Sequence, residues 1–290
     1  MTTKWAFKAE RDIFVEIADI AHKYPAGKVF TQPSLGLIPG QQYPSDDPDA
    51  ADQRDWVRLA AYVRWLNEKS LENVCYKVLY LTRHGTGVHN KMHSEVGSDA
   101  WNNGDDEQMW FDAFLTDVGK QQARDLDVFW NNLADVDGAP LPEIIYTSPL
   151  ARCLQTTSIV FPALMESHSA VFQPIVKELL RERITMHTCD FRRPRSWIAE
   201  NYPDYVIEDG FTEEDGFGKE GRPETDEEHV ERKHRALEDI FEDAGDSEFV
   251  SLTVHSFAIR AIQAAVGAGI CKTREGTSIA MLVRGERKGV

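Results

Sequence analysis

Short runs rich in apolar and β-branched residues alternate along this chain with longer stretches whose apolar positions recur every three or four residues. The short runs predict strands at Lys77–Leu81, Glu143–Tyr146, Val171–Val176, Phe249–Val254 and Ile279–Val283. The helical period predicts helices over Asp117–Ala134, Leu150–Phe161, Asp226–Glu242 and Ala258–Val266. Thr116 stands at the N-cap position of the first, where its hydroxyl can accept from the free amides of the opening turn. Strands and helices in this alternation make an α/β fold, a three-layer α/β/α sandwich with a mostly parallel central sheet.

Three regions fall outside that alternation. Residues 1–75 carry two amphipathic segments, near Ala9–His22 and Arg54–Lys69, on either side of the Pro- and Gly-rich stretch TQPSLGLIPGQQYPSDDPD. Residues from about 91 to 114 are rich in Trp, Asn and acid and too long for a simple turn, so a lid or structured excursion is expected. Residues from about 181 to 223 pass from a basic stretch, RERITMHTCDFRRPR, into a strongly acidic one. One domain spanning residues 1–290 is expected, with 1–75 an N-terminal extension packed on the core and the other two regions lid-like insertions.

Composition narrows the partners. Against 32 basic residues stand 48 acidic ones, a formal net charge of −16, which argues against an electrostatic grip on nucleic acid or an anionic membrane. Any anionic ligand needs a local basic pocket. The four cysteines, Cys75, Cys153, Cys189 and Cys271, are scattered without metal-ligand or disulfide spacing, so a reducing, cytoplasmic setting and no metal or other cofactor are expected. The opening MTTKWAFKAERDIF lacks a signal-like apolar run, and no stretch approaches the roughly 20 apolar residues of a membrane helix.

In open α/β sheets ligands collect beyond the carboxyl ends of strands, so the residues just past each strand are the ones to compare. The first exit presents Arg83 and His84, and the next runs through Thr147-Ser148-Pro149 into a helix bearing Arg152. Another is followed by Glu178 and Glu182, and the last major one by His255-Ser256. Guanidinium forks match phosphate oxygens and stay charged at any working pH. A neutral histidine with a fixed tautomer can attack phosphorus, and a carboxylic acid can protonate the leaving oxygen. Together these residue types suit phosphoryl transfer on a small phosphorylated substrate.

The motifs RHG at 83–85, LTDVGKQQA at 115–123, SPLARCLQT at 148–156, LLRER at 179–183 and VHS at 254–256 resemble, in that order, the histidine phosphatase (phosphoglycerate mutase-like) superfamily. The likeness spans roughly residues 77–284. The variants RHGTGVHN, TQPSLGLIP and ELLRERITMHTCDFRR are further similar to a fungal phosphomutase-like subgroup. This resemblance implies a phosphoglycerate mutase-like fold and makes His84 the nucleophile that becomes phosphohistidine. It assigns Arg83, Arg152 and His255 to the phosphoryl oxygens, with help from Asn90. It makes Glu182 the proton donor, with Glu178 the fallback; Ser256 is a further candidate for phosphate or substrate contact, and His89 either touches substrate or orients the loop. His255-Ser256 departs from the commoner His-Gly, which restricts how closely the backbone there can approach a ligand.

Each residue also has an ordinary reading. Glu182 could pair with a neighbouring arginine, and Asn90 could be a turn residue. Arg181, Arg183, Arg192, Arg193 and Arg195 could recognise a second anionic group or pair with the acidic 208–231 stretch. The CX5R match CDFRRPR at 189–195 is rejected as a cysteine-phosphatase loop because bulky residues and a proline cannot wrap phosphate with amides. GFGKEG at 216–221 follows acid rather than a strand, so it is no dinucleotide loop. SLTVHS places no hydrolase triad. The expected activity is a metal-free phosphatase acting through phosphohistidine. The alternatives are a phosphomutase of phosphoglycerate mutase type and a non-catalytic phosphate-ligand-binding protein. Substrate identity and oligomeric state stay open.

Overall fold

The computed structural model describes residues 4–47, 53–103, 110–216 and 222–289. The strands are β1 (Trp5–Ala9), β2 (Lys28–Val29), β3 (Val74–Arg83), β4 (Ile144–Thr147), β5 (Ile175–Val176), β6 (Val206–Ile207), β7 (Phe249–Val254), β8 (Lys272–Thr273) and β9 (Thr277–Arg287). The helices are α1 (Ile17–Ile20), α2 (Asp55–Lys69), α3 (Val88–Asn103), α4 (Asp117–Asn132), α5 (Ala151–Val160), α6 (Pro162–Ser167), α7 (Arg195–Asn201), α8 (Asp226–Asp243) and α9 (Ser256–Ala265). Seven strands form one sheet in the order β1-β9-β3-β7-β4-β5-β6, and β2 and β8 form a small parallel pair. The sheet is parallel from β3 through β6, and β9 and β1 add antiparallel pairings at the other side.

Alternation along β3 divides the core. Val78 and Tyr80 turn to one face with Trp56, Leu59 and Val63 of α2 and Ala123, Leu126 and Trp130 of α4. Leu79 and Leu81 turn to the other, with Leu237 and Ile240 of α8 and Ile259 and Ile262 of α9. Helices therefore cover both faces, the three-layer α/β/α arrangement expected from the sequence. Tyr80 meets Trp130 edge to face with ring centroids 4.9 Å apart, and truncating a buried Trp of this kind costs about 3–5 kcal/mol.

α4 starts at Asp117 with Thr116 as its cap, the hydroxyl accepting from Gly119 N at 3.0 Å. The predicted spans for α5, α8 and β7 agree with the structure to within two residues. Four expectations need correction. The 1–75 segment is not merely packed on the core, because β1 pairs with β9 inside the main sheet. Ala9–His22 is helical only from Ile17, where α1 runs into a 3-10 turn at Ala21–Lys23; before it Asp12 takes a left-handed φ of 64°, and Ile13 and Phe14 join one core face while Ile17 joins the other. Of Val171–Val176 only the last two residues are strand, with Val171 78% exposed. β9 runs to Arg287, past the Val283 of the sequence reading, because its tail pairs with both β1 and the start of β3.

Within the 91–114 region, α3 covers the first part and breaks at Gly97, where φ is 80°. Residues 104–109 of that region, and most of the GFGKEG segment, lie outside the described residues. No described helix is long and apolar enough to cross a membrane.

Candidate active site

β3, β7 and β4 end level with one another: Thr82 pairs with Thr253, and Thr253 with Thr147. The residues just past those strand ends, His84, His255 and Ser148, are thereby gathered at one sheet end. The rings of His84 and His255 cross edge to face with centroids 5.0 Å apart. From α5, Arg152 reaches between them, its Nε 3.2 Å from both His84 Nε2 and His255 Nδ1. All three side chains are closed off from solvent, at 2%, 0% and 1% exposure for His84, His255 and Arg152.

The hydrogen bonds fix both tautomers. His84 Nδ1 donates to Gly85 O at 2.6 Å, leaving Nε2 as the acceptor that faces Arg152. His255 accepts from Arg152 at Nδ1 and donates from Nε2 to Ser148 Oγ at 2.8 Å. Burial, reinforced by the guanidinium of Arg152, holds both imidazoles well below the ordinary histidine range, so they are neutral.

Arg83 lies beside this group in the chain, but its fork is already engaged. Nη1 donates to Thr273 O at 2.6 Å and Nη2 pairs with Glu275 at 2.8 Å, while Nε is buried without a partner among the described residues. Arg152 is likewise satisfied at its tip, by Cys189 O at 2.7 Å and the Asp190 carboxylate at 3.7 Å. The CDFRR segment thus enters the site through a backbone carbonyl and an aspartate. The Cys189 thiol is buried and pushed up in pKa, the opposite of an activated thiolate.

Glu182 sits at the start of α9. Its carboxylate accepts from Phe257 N at 3.2 Å, Ala258 N at 3.0 Å and its neighbour Arg183 N at 2.9 Å. Burial pushes its pKa up, the backbone donors and Arg152 pull it down, and Asp190 raises it further; the balance is upward. Glu178 is committed elsewhere, one oxygen to Arg181 at 2.8 Å and the other to Arg192 at 2.6 Å, both guanidiniums fully buried. Asn90 folds back on the loop, its Oδ1 accepting from Gly87 N at 3.0 Å, a turn-stabilising contact. The His89 ring stands 5.9 Å from that of His84, with Nδ1 buried and unpartnered among the described residues. Ser256 opens α9, half-buried beside the amides that Glu182 takes.

The basic cluster resolves mainly in favour of internal pairing. Arg181 and Arg183 pair with Asp215 and Asp226, and Arg192 donates to the carbonyls of Thr212, Glu213 and Glu214. Arg193 differs: it lies over the rings of Phe114 and Trp197 at 4.7 Å and 3.7 Å from Asp112. Among the described residues, no three His, Cys, Asp or Glu side chains group to hold a metal ion.

The profile of the histidine phosphatase superfamily (branch 1) matches residues 79–275, which takes in this whole cluster. The chain belongs to that superfamily. A probable phosphoglycerate mutase of Arthroderma benhamiae is 38% identical over 88% of this chain and 78% of its own. A probable phosphoglycerate mutase of Saccharomyces cerevisiae is 30% identical over 79% of this chain and 88% of its own. Phosphomutase-like protein 3 of Candida albicans is 32% identical over 66% of this chain and 60% of its own. All three are fungal, in line with the subgroup resemblance.

The superfamily motifs gain physical meaning from residues that sequence reasoning left without a role. Gln122 of α4 accepts from Thr86 N at 2.7 Å, and Gln155 of α5 accepts from Leu115 N at 2.8 Å. Thr156 accepts from Gly85 N at 3.2 Å, so two helices hold the RHG loop by its amides. Asp112, fully buried, accepts from Ala151 N at 2.7 Å at the head of α5 and from Arg193 N at 3.2 Å. Burial pushes its carboxyl up to about 6. Nothing in its sequence context, WFDAF, marks it, because its partners are backbone amides far along the chain.

Proposed function

We propose that this histidine phosphatase superfamily member is a phosphatase that hydrolyses a small phosphorylated metabolite through a phosphohistidine at His84. The observation that carries the reading is the shared donor: Arg152 Nε faces Nε2 of His84 while Nδ1 of that ring is tied to Gly85 O. A neutral imidazole so oriented offers its Nε2 lone pair where a guanidinium can also hold phosphoryl oxygens.

The Nε2 lone pair attacks phosphorus, the bond from phosphorus to the substrate oxygen breaks, and Glu182 delivers a proton to that oxygen. The alcohol leaves and His84 carries the phosphoryl group. Water then attacks phosphorus, the Glu182 carboxylate takes its proton, and orthophosphate departs with His84 neutral again. Charge spreads over the equatorial oxygens in both steps, where Arg152 and the Nε of Arg83 supply donors, and His255 adds one by turning its Nε2 proton away from Ser148. The oxygens would displace or share the contacts that Cys189 O and Asp190 now make to Arg152.

Glu182 is favoured over Glu178 as the acid because both Glu178 oxygens serve buried arginines, whereas Glu182 is raised in pKa. The names of two relatives favour a second reading, a mutase that returns the phosphoryl group to a substrate hydroxyl. A panel of phosphorylated metabolites, followed for both orthophosphate and isomerised ester, separates the two. Stoichiometric orthophosphate release that is lost in His84→Ala is the expected result. Isomerisation with phosphate retained would establish the mutase, and equal background rates in both proteins would leave a ligand-binding role.

A further inference from the structure

The turn that carries Glu182 is held from behind by two basic side chains of α8. Arg232 and Lys233 are 1% and 0% exposed. Lys233 Nζ donates to Leu179 O at 2.6 Å and to Arg181 O. Arg232 donates through Nη1 to the same two carbonyls, at 3.0 and 3.1 Å, and through Nη2 to Glu182 O at 2.8 Å. The other side of Arg232 is clamped by Glu224, with Nε and Nη2 contacts of 2.8 and 2.7 Å. Glu224 in turn accepts from Ile184 N at 3.1 Å, just beyond the turn.

Burying two basic side chains is costly unless every donor finds good geometry, and burial together with the neighbouring Arg232 holds the Lys233 amine well below the ordinary lysine range. Here both side chains spend N–H donors on one short segment, residues 179–182. Its last residue is grasped again at its carboxylate by the amides of α9. α8 and α9 share one apolar cluster through Leu237, Ile240, Ile259 and Ile262, so the two grips belong to one packed unit.

We propose that Lys233 and Arg232 are positioning residues for the proton donor, fixing the backbone of the 179–182 turn so that the Glu182 carboxyl stands at the leaving oxygen. This rests on the reading of Glu182 as the acid. A general acid contributes roughly 10²–10⁴-fold and a displacement of about 1 Å can cost ~10²-fold, so the arrangement matters most where the leaving group needs a proton. An aryl phosphate, whose phenolate leaves readily, needs little help, whereas an alkyl phosphate depends on it.

The test compares kcat/KM on p-nitrophenyl phosphate and on glycerol 2-phosphate for the wild type, Lys233→Met and Glu182→Gln. The expected result is that Lys233→Met lowers alkyl turnover by about 100-fold and aryl turnover by less than about threefold, following the direction of Glu182→Gln. Equal losses on both substrates in Lys233→Met, with the selective loss kept in Glu182→Gln, would overturn the positioning role alone. No selective loss in Glu182→Gln would overturn the assignment of the acid and the inference with it. Lys233→Gln, which keeps a donor of shorter reach, and Arg232→Lys give the same ratio a second reading should Lys233→Met not fold. An unchanged ratio in both of these variants would also overturn the role.

Discussion

His255 has a fixed tautomer because Ser148 accepts its Nε2 proton at 2.8 Å, and this bond leaves Nδ1 free to receive Arg152. A hydroxyl three bonds from the chemistry therefore sets which nitrogen faces the guanidinium. Ser148→Ala leaves the buried Nε2 proton only the weak Cys153 sulfur acceptor, 3.4 Å away, so kcat/KM should fall about 10-fold with little change in helix content. Steady-state kinetics with circular dichroism checks this, and unchanged kinetics would mean the tautomer is set elsewhere. At this scale the sequence names Arg83, His84, Arg152, Glu182 and His255 as candidates because they stand at or soon after strand exits, and the fold brings His84, Arg152 and His255 into contact. The residues that orient them, Ser148, Gln122, Gln155, Thr156 and Asp112, were not assigned these roles. Each acts by bonding to a group at least 36 positions away, and only the fold brings those groups within reach.

Helix α4 and the RHG loop approach closer than side chains would permit. A Cβ on Gly85 would stand 2.2 Å from Gly119 O, and one on Gly119 would stand 2.2 Å from Thr86 O. Gly85 is thus required by backbone contact with α4. Its φ is not in the left-handed region. Gly85→Ala should push α4 off the loop and destabilise the fold by about 3 kcal/mol or more, since the obstruction is backbone that cannot rotate away. Chemical denaturation measures it, and a loss under about 1 kcal/mol would show that α4 can shift cheaply. Among elements, α4, α5, α8 and β7 were legible because period, cap and apolar runs agree locally. β1 was not, since WAFKA becomes a strand by pairing with β9 at the opposite end of the chain.

The whole molecule carries a formal charge of −16 yet buries Arg83, Arg152, Arg181, Arg192, Arg232 and Lys233 at one side of its sheet and along α8. Arg181, Arg192 and Arg232 are paired with Glu178, Asp215 and Glu224, so the buried guanidiniums beside His84 are those of Arg83 and Arg152. One consequence is testable through Asp112, whose carboxyl is raised from 3.8 to about 6 in the fold. The folded form takes up this proton more readily than the unfolded one, so the contribution is fully present below the unfolded value and is lost as pH rises through about 6. Relative to Asp112→Asn, the wild type should lose about 3 kcal/mol of unfolding free energy across that interval, read by urea titrations at several pH values. A difference that stays constant with pH would place the proton uptake on another group.

Phosphohistidine formation at His84 is the claim on which the rest depends. Rapid acid-free quenching of the enzyme during turnover of p-nitrophenyl phosphate, followed by peptide mapping, reads it directly. The expected result is an acid-labile phosphoryl group on the peptide containing His84, absent from His84→Ala together with turnover. Turnover that survives in His84→Ala, with no phosphoryl group found on that peptide of the wild type, would contradict it.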